Sequence, residues 1–314
     1  MKIIKSLRIE NLIIIALTML AMRYCVADSI MKVNGFGVSM PLWQFIILVT
    51  AVILIAEAGY IINDYFDMEG DRINNKNNFA AQLKNKENAL IYYAVLSLTG
   101  IILGGIVSWL SGYPKFTMIF FIAASILWFY SSFFKKQFII GNLLIAFLAA
   151  LVPMIVAVYE IPAANTEYAT ILKAYGINFM VIVYWIAAFA AYAFVVTLIR
   201  EIIKDMEDIE GDEKDGAKTL PVVLGQKAAK ALVTTLILLT IGSIALVYYK
   251  FLQNKLSLVY IVIAIIIPLI FTMIKVLTAK NSKDYKLCST FVKIIMLTGI
   301  GYSAVACYIF STLN

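Results

Sequence analysis

Apolar residues in this chain run in long stretches separated by short polar segments, and the stretches repeat along its whole length. Nine can be marked out, at residues 9–27, 42–62, 89–110, 116–134, 139–159, 177–203, 229–249, 256–277 and 288–313. A helix needs about 17–25 apolar residues to cross the hydrocarbon of a bilayer, whereas a membrane barrel would show alternating segments of about ten. The pattern predicts an all-α polytopic membrane protein, nine transmembrane helices in a bundle. Arg23 interrupts the first stretch, and Pro153 should kink the fifth. A cleavable leader is not expected, because the first stretch has no small-residue cleavage site and eight more follow.

Composition agrees. Of 314 residues, 62% are hydrophobic and 14% charged, against about 25% charged in a typical soluble domain. The absence of histidine excludes His-ligated haem or zinc and Ser/His or Cys/His catalysis. Cys25, Cys288 and Cys307 are scattered without metal-site or redox spacing and read as small apolar fillers. The net charge of +7 comes from lysines that flank the apolar stretches. It is assigned to anionic lipid headgroups, with neither a nucleic acid nor an obligate protein partner implied.

Sidedness follows from the same lysines and arginines. With the N-terminus inside, 19 basic residues face the cytoplasm and five the opposite side, while Arg23 and Lys293 stay within the stretches. The positive-inside rule therefore predicts a cytoplasmic N-terminus and an external C-terminus.

Twelve of the 19 acidic residues fall in two windows, Asp64 to Asp71 and Glu201 to Asp215, both on the predicted cytoplasmic side and each holding one copy of an acidic element. The first reads DYFDMEGD from Asp64 to Asp71 and the second DMEDIEGD from Asp205 to Asp212, so both fit D-x-x-D-x-E-G-D. Two copies 141 residues apart, each at the end of an apolar helix, suggest pseudo-repeated halves, about 1–135 and 136–314, around one central cavity. Offsets of 0, 3 and 7 put Asp64, Asp67 and Asp71 on one helical face, and likewise Asp205, Asp208 and Asp212. Solubility requires charge but has no use for phase, so the shared spacing points to a ligand. Oxygen donors without thiolate or imidazole favour Mg²⁺, with Mn²⁺ as the alternative, and Mg²⁺ typically shares one or two carboxylates with substrate phosphates. A diphosphate is the natural common ligand. Arg8, Arg72, Lys135, Lys136, Arg200 and Lys204 lie where they could neutralise it, and Glu57 and Asn63 stand near the end of the second stretch, where an intramembrane acid is costly unless it faces a cavity.

These residues resemble the signature of the UbiA superfamily of intramembrane prenyltransferases, an N-D-x-x-D-x-x-x-D element followed by a second D-x-x-D-x-x-x-D. Here they are Asn63, Asp64, Asp67 and Asp71, then Asp205, Asp208 and Asp212. Arg8 and Asn11 at the head of the first stretch are similar to the family, as is the segment from Tyr130 and Ser131 through Lys135 and Lys136 to Gly141 and Asn142. The continuation from Lys204 to Gly225 looks most like geranylgeranylglycerol-phosphate geranylgeranyltransferases.

The resemblance implies one membrane domain over 1–314 whose cavity opens to lipid near the cytoplasmic face of a prokaryotic cell membrane. Its activity would be Mg²⁺-dependent transfer of an isoprenyl group, geranylgeranyl by this likeness, from its diphosphate to a membrane lipid acceptor. It implies catalytic and metal roles for the six motif aspartates, with Asn63 beside them, and diphosphate contacts from Arg8, Arg72, Lys135 and Lys204. Asn11, Glu57, Tyr130 and Lys136 would contact substrate, Lys135 pointing into the site and Lys136 acting as a headgroup anchor or more distant charge. One segment departs from the family: residues 74–88 replace its basic, proline-containing loop with NNKNNFAAQLKNKEN, where Lys76, Lys84 and Lys86 could stand in for missing arginines. The alternatives are prenylation of an aromatic acid or quinone precursor, a transporter or flippase with duplicated acidic helix ends, and a structural protein with vestigial motifs.

Overall fold

The structure is a computed structural model that describes residues 8–73, 78–83 and 85–312, without the side chains at 69, 70 and 73. Lys2, Lys5, Lys76 and Lys84, and the side chain of Glu69, lie outside the described residues.

Among the described residues nine helices are long and apolar enough to cross a membrane: α1 (Ile9–Val33), α2 (Leu42–Phe66), α3 (Asn88–Leu110), α4 (Pro114–Ser132), α5 (Ile140–Glu167), α6 (Met180–Lys214), α7 (Leu220–Leu252), α8 (Lys255–Thr278) and α9 (Ser282–Ser311). Short helices Met68–Ile73 and Ala169–Tyr175 follow α2 and α5. Several helices outrun their apolar stretches. α6 continues to Lys214, so the whole second motif, Asp205 to Asp212, is helical. α5 stays one helix across Pro153 and Pro162, as membrane helices can when neighbouring groups satisfy the freed backbone. That compensation is visible in α8: Pro268 cannot bond the carbonyl of Ala264, the turns at Val262–Ile266 widen into π-helix, and the Thr298 hydroxyl of α9 donates to that carbonyl at 2.8 Å.

The charge that interrupts the first stretch is buried. Arg23 lies in a π-helical segment of α1, Ala21–Ala27. Its guanidinium sits 3.3 Å from the Glu160 carboxylate of α5, donates to the Met40 carbonyl, and lies over the Phe45 ring, 4.5 Å from its centroid. Glu160 also accepts the backbone N–H groups of Ser39 and Met40. The α1–α2 connection is thus sewn to α5 at the end of the bundle away from the acidic windows.

The two largest of three apolar clusters fill most of the interior, one drawn mainly from α1, α2 and α5 and the other from α6 to α9. α2 and α3 approach closely because Gly100 faces Ile55, where a Cβ would stand 2.7 Å from the Ile55 side chain; small residues let membrane helices pack backbone to backbone. Between the clusters runs a cavity of about 2180 Å³, lined on α6 from Val181 to Asp212 and on α1 from Ile9 to Met22.

Candidate active site

Both acidic windows meet this cavity, by different local routes. In the second, unbroken α6 carries Asp205, Asp208 and Asp212 along one face, and all three line the wall. In the first, regular helix stops at Phe66 and resumes at Met68, with Asp67 at the joint (φ −94°, ψ 3°). Asp67 and Asp71 line the cavity, but Asp64 does not. Its buried carboxylate accepts from Arg8 at 2.8 Å and from the Phe79 N–H at 2.7 Å. The single face expected for the first motif is therefore divided, because Asp64 is used to anchor α1 and the segment after Met68–Ile73.

Cations and amides interleave with the acids. Lys135, in the turn after α4, donates to Asp67, which also accepts from Asn63 Nδ2 at 2.7 Å. Burial lowers the pKa of the Lys135 ammonium, and the Asp67 carboxylate with its neighbours more than reverses this, so the net shift is upward from the ordinary lysine value. Lys136 turns to the other window and pairs with Asp215 at 2.7 Å. The carbonyl of Lys136 accepts the N–H of Lys218 at 2.8 Å, tying the turn after α4 to the loop after α6. Both lysines line the cavity, as do Arg8, Asn11, Tyr130 and Lys204.

Glu57 and Arg72 lie outside the cavity lining. Glu57 is buried, and both its oxygens lack a hydrogen-bond partner among the described residues. Arg72 is exposed on the short helix.

The structure adds partners that were not singled out as site residues. Asn142 Nδ2 donates to Asp205 at 2.7 Å, Thr219 to Asp212 at 3.0 Å, and Asn78 to Asp71 at 2.8 Å and to the Asp64 carbonyl at 2.7 Å. Buried Glu201 accepts from Arg200 and Lys204, each at 2.9 Å, holding both cations at the cavity wall. Asn142 belongs to the family-like segment quoted above, and Glu201 is an acid of the second window. Asn78 has no sequence signal, since it acts across a loop. Gly141 is required by close approach: a Cβ there would stand 2.9 Å from the Phe134 carbonyl oxygen and 3.0 Å from Lys135 Cα.

The donor set tests the expected metal. Among the described residues no three acidic, cysteine or histidine side chains form a group able to hold a metal ion alone. The wall does offer hard oxygens, including Asn63 Oδ1, which is buried without a hydrogen-bond partner there and belongs to the residue that bonds Asp67. This suits an ion that takes one or two carboxylates and completes its shell with phosphate oxygens and water.

The sequence pattern of the UbiA prenyltransferase family matches residues 33–296. The chain belongs to that family. Among curated relatives, this UbiA prenyltransferase is 34% identical to the digeranylgeranylglyceryl phosphate synthase of Methanosphaera stadtmanae over 81% of this chain and 85% of that one. Its fold is similar to a solved digeranylgeranylglyceryl phosphate synthase structure (TM-score 0.61, 24% identity, 97% of this chain and 100% of that one). It is likewise similar to a UbiA homolog from Archaeoglobus fulgidus bound to DMAPP and Mg²⁺ (TM-score 0.58, 17% identity, 98% and 100%). Membership makes it an integral membrane enzyme that transfers prenyl groups, and sets aside the transporter and structural readings.

Proposed function

We propose that this enzyme transfers a geranylgeranyl group from its diphosphate to the free hydroxyl of geranylgeranylglyceryl phosphate, with Mg²⁺ at the two aspartate motifs. The observation that carries the reading is one cavity with both motifs and their lysines on its wall and apolar side chains such as Ile55, Val152 and Phe189 elsewhere in its lining. Its volume of about 2180 Å³ exceeds the roughly 300–1,000 Å³ of an ordinary small-ligand pocket, as two isoprenoid chains require. The acceptor follows from the relatives, whose named product carries two geranylgeranyl groups on one glyceryl phosphate.

In the reaction the bond between the prenyl C1 and its diphosphate oxygen breaks, the acceptor hydroxyl oxygen bonds to C1, and the hydroxyl proton leaves with the diphosphate. Bound Mg²⁺ would neutralise charge gathering on the leaving group. Asp67, Asp71, Asp205, Asp208 and Asp212 are the residues to hold it. Lys135 and Arg8 hold the diphosphate from the side of the first motif, while Lys204 does so from the second. Tyr130 and the apolar wall keep water from the electron-poor chain. Asp64, through Arg8 and Phe79, positions this machinery instead of touching the ion.

Each sequence half supplies one motif, the end of α2 with the short helix after it from residues 1–135 and α6 from 136–314, which supports reading them as pseudo-repeats. The lysine asymmetry supports a cytoplasmic N-terminus and, with it, a motif end of the cavity at the cytoplasmic face.

The test is a side-by-side assay of purified protein with geranylgeranyl diphosphate and Mg²⁺, read by mass spectrometry of extracted lipid. Product with geranylgeranylglyceryl phosphate and its loss in EDTA are expected. Turnover of an aromatic acid or quinol precursor, with none of the lipid phosphate, would replace the acceptor and leave prenyl transfer standing.

A further inference from the structure

A lipid phosphate acceptor brings a second anion into a mouth that already holds a diphosphate, and the cavity-lining cations described so far are tied to the acidic windows. Lys135 is bonded to Asp67, Lys136 to Asp215, and Arg200 and Lys204 to Glu201, while Arg8 is held by Asp64. One cavity-lining cation has a partner from neither window. Lys293 of α9 donates to Glu10 of α1 at 2.8 Å.

Three features of this pair are informative. Its depth is fixed by Glu10, two residues from the Arg8 that bonds Asp64, so Lys293 lies at the level of the phosphate chemistry. It stands eleven residues into α9, roughly 16 Å along the helix at about 1.5 Å per residue; the first turns of α9 therefore project past the start of α1, carrying Lys283 and Lys286 on the cavity side. Finally, the tether is weak. The Glu10 side chain is 81% exposed, and an ion pair with so exposed a member contributes little, so a phosphate dianion can take its place at Lys293.

Further along the same two helices the cavity wall turns apolar, with Met296 and Ile300 on α9 and Ile14 and Ile15 on α1. Charge at one level and hydrocarbon beyond it match a molecule with a phosphate head and an isoprenoid tail.

We propose that Lys293, with Lys286 one turn-pair above it, binds the phosphomonoester of the lipid acceptor between α1 and α9, Glu10 holding the lysine until the phosphate displaces it. This rests on the lipid-phosphate reading above. It assigns the acceptor anion to the wall formed by α1 and α9, apart from the motif aspartates, so the two anions do not share one set of cations.

The test is steady-state kinetics of the full chain in zwitterionic nanodiscs, with geranylgeranylglyceryl phosphate varied at saturating donor and then the reverse. K293M should raise the acceptor KM about tenfold or more while leaving the donor KM within about twofold, and K293R should recover most of the loss. E10Q separates binding from a structural latch. Loss of the competing carboxylate should leave the acceptor KM unchanged or lower it, whereas a pair that merely fastens α1 to α9 would make E10Q as harmful as K293M. Equal damage from both, an unchanged acceptor KM in K293M, or an effect of K293M seen only when anionic phospholipid is added would overturn the assignment. If wild-type protein turns over no lipid phosphate at all, the acceptor reading itself fails and takes this site with it; normal wild-type turnover with an indifferent K293M sinks the site alone.

Discussion

Lys135 and Asp67, 68 residues apart in sequence, are joined by a direct ion pair across the mouth of the cavity. The pair brings the turn after α4 to the joint after α2, so the cation proposed for the leaving group and the carboxylate proposed for the metal start as each other's partners. K135A and D67N should each reduce kcat by about 10² or more, the size of loss seen when one stabiliser of transition-state charge is removed. K136A, whose partner is Asp215 at the periphery, should cost far less. Prenyl transfer under saturating substrate, alongside size-exclusion profiles to show that the bundle is intact, checks all three. Equal small effects of K135A and K136A would reduce the segment to a membrane anchor.

Gly141 packs against the backbone of the same lysine and does not line the cavity. A methyl group at this position meets backbone on two sides, the Phe134 carbonyl and Lys135 Cα, and backbone cannot rotate away as a side chain can. G141A should therefore displace the turn, with a cost of about 1–3 kcal/mol in stability and a fall in kcat larger than that of K136A. Thermal melting in detergent and turnover would be read on the same preparation. Full activity in G141A would show that the turn tolerates the shift.

The far end of the bundle offers a stability test separate from catalysis. Arg23 and Glu160 are both almost fully buried, and removing one member of such a pair strands the other, at about 3–5 kcal/mol. R23M should lower the melting temperature sharply. The double variant R23M/E160Q should recover much of the loss, because the glutamine carbonyl can still accept from Ser39 and Met40. A double variant no better than R23M would mean that the cost lies in lost packing of the arginine over Phe45.

Orientation can be read with single cysteines in a background without Cys25, Cys288 and Cys307. An impermeant maleimide added to whole cells should label K115C, at the start of α4, and spare K218C, between α6 and α7, until the membrane is opened. The opposite pattern would invert the topology and place the acidic windows outside.

Much of this architecture is legible in the sequence because it depends on local and periodic properties. Among the described residues the nine apolar stretches become nine helices, and the spacing of Asp205, Asp208 and Asp212 becomes one face because α6 does not break. What sequence hides is partnership. Asp64 has the same spacing as its neighbours, yet the helix joint at Asp67 and the arrival of Arg8 and the Phe79 N–H turn it into an anchor. Arg23 weakens the first stretch until Glu160, 137 positions away, is found against it. Asn78 holds Asp71 and the Asp64 backbone from within the segment that departs most from the family pattern. None of these contacts has a period, so no pattern along the chain reports them.

The pairing of Lys135 with Asp67 has a thermodynamic consequence. A diphosphate arriving alone must pull Lys135 from Asp67, and a divalent ion arriving alone must pull Asp67 from Lys135; each leaves a charge stranded. Arriving together, they exchange partners, metal to carboxylate and phosphate to ammonium, and no charge is left over. Metal and donor should therefore show heterotropic cooperativity, each tightening the binding of the other by the same factor, as reciprocity between two linked ligands demands. Titrations of a non-hydrolysable diphosphate with and without Mg²⁺, and of Mn²⁺ with and without that diphosphate, should give equal ratios of dissociation constants, and K135A should shrink both.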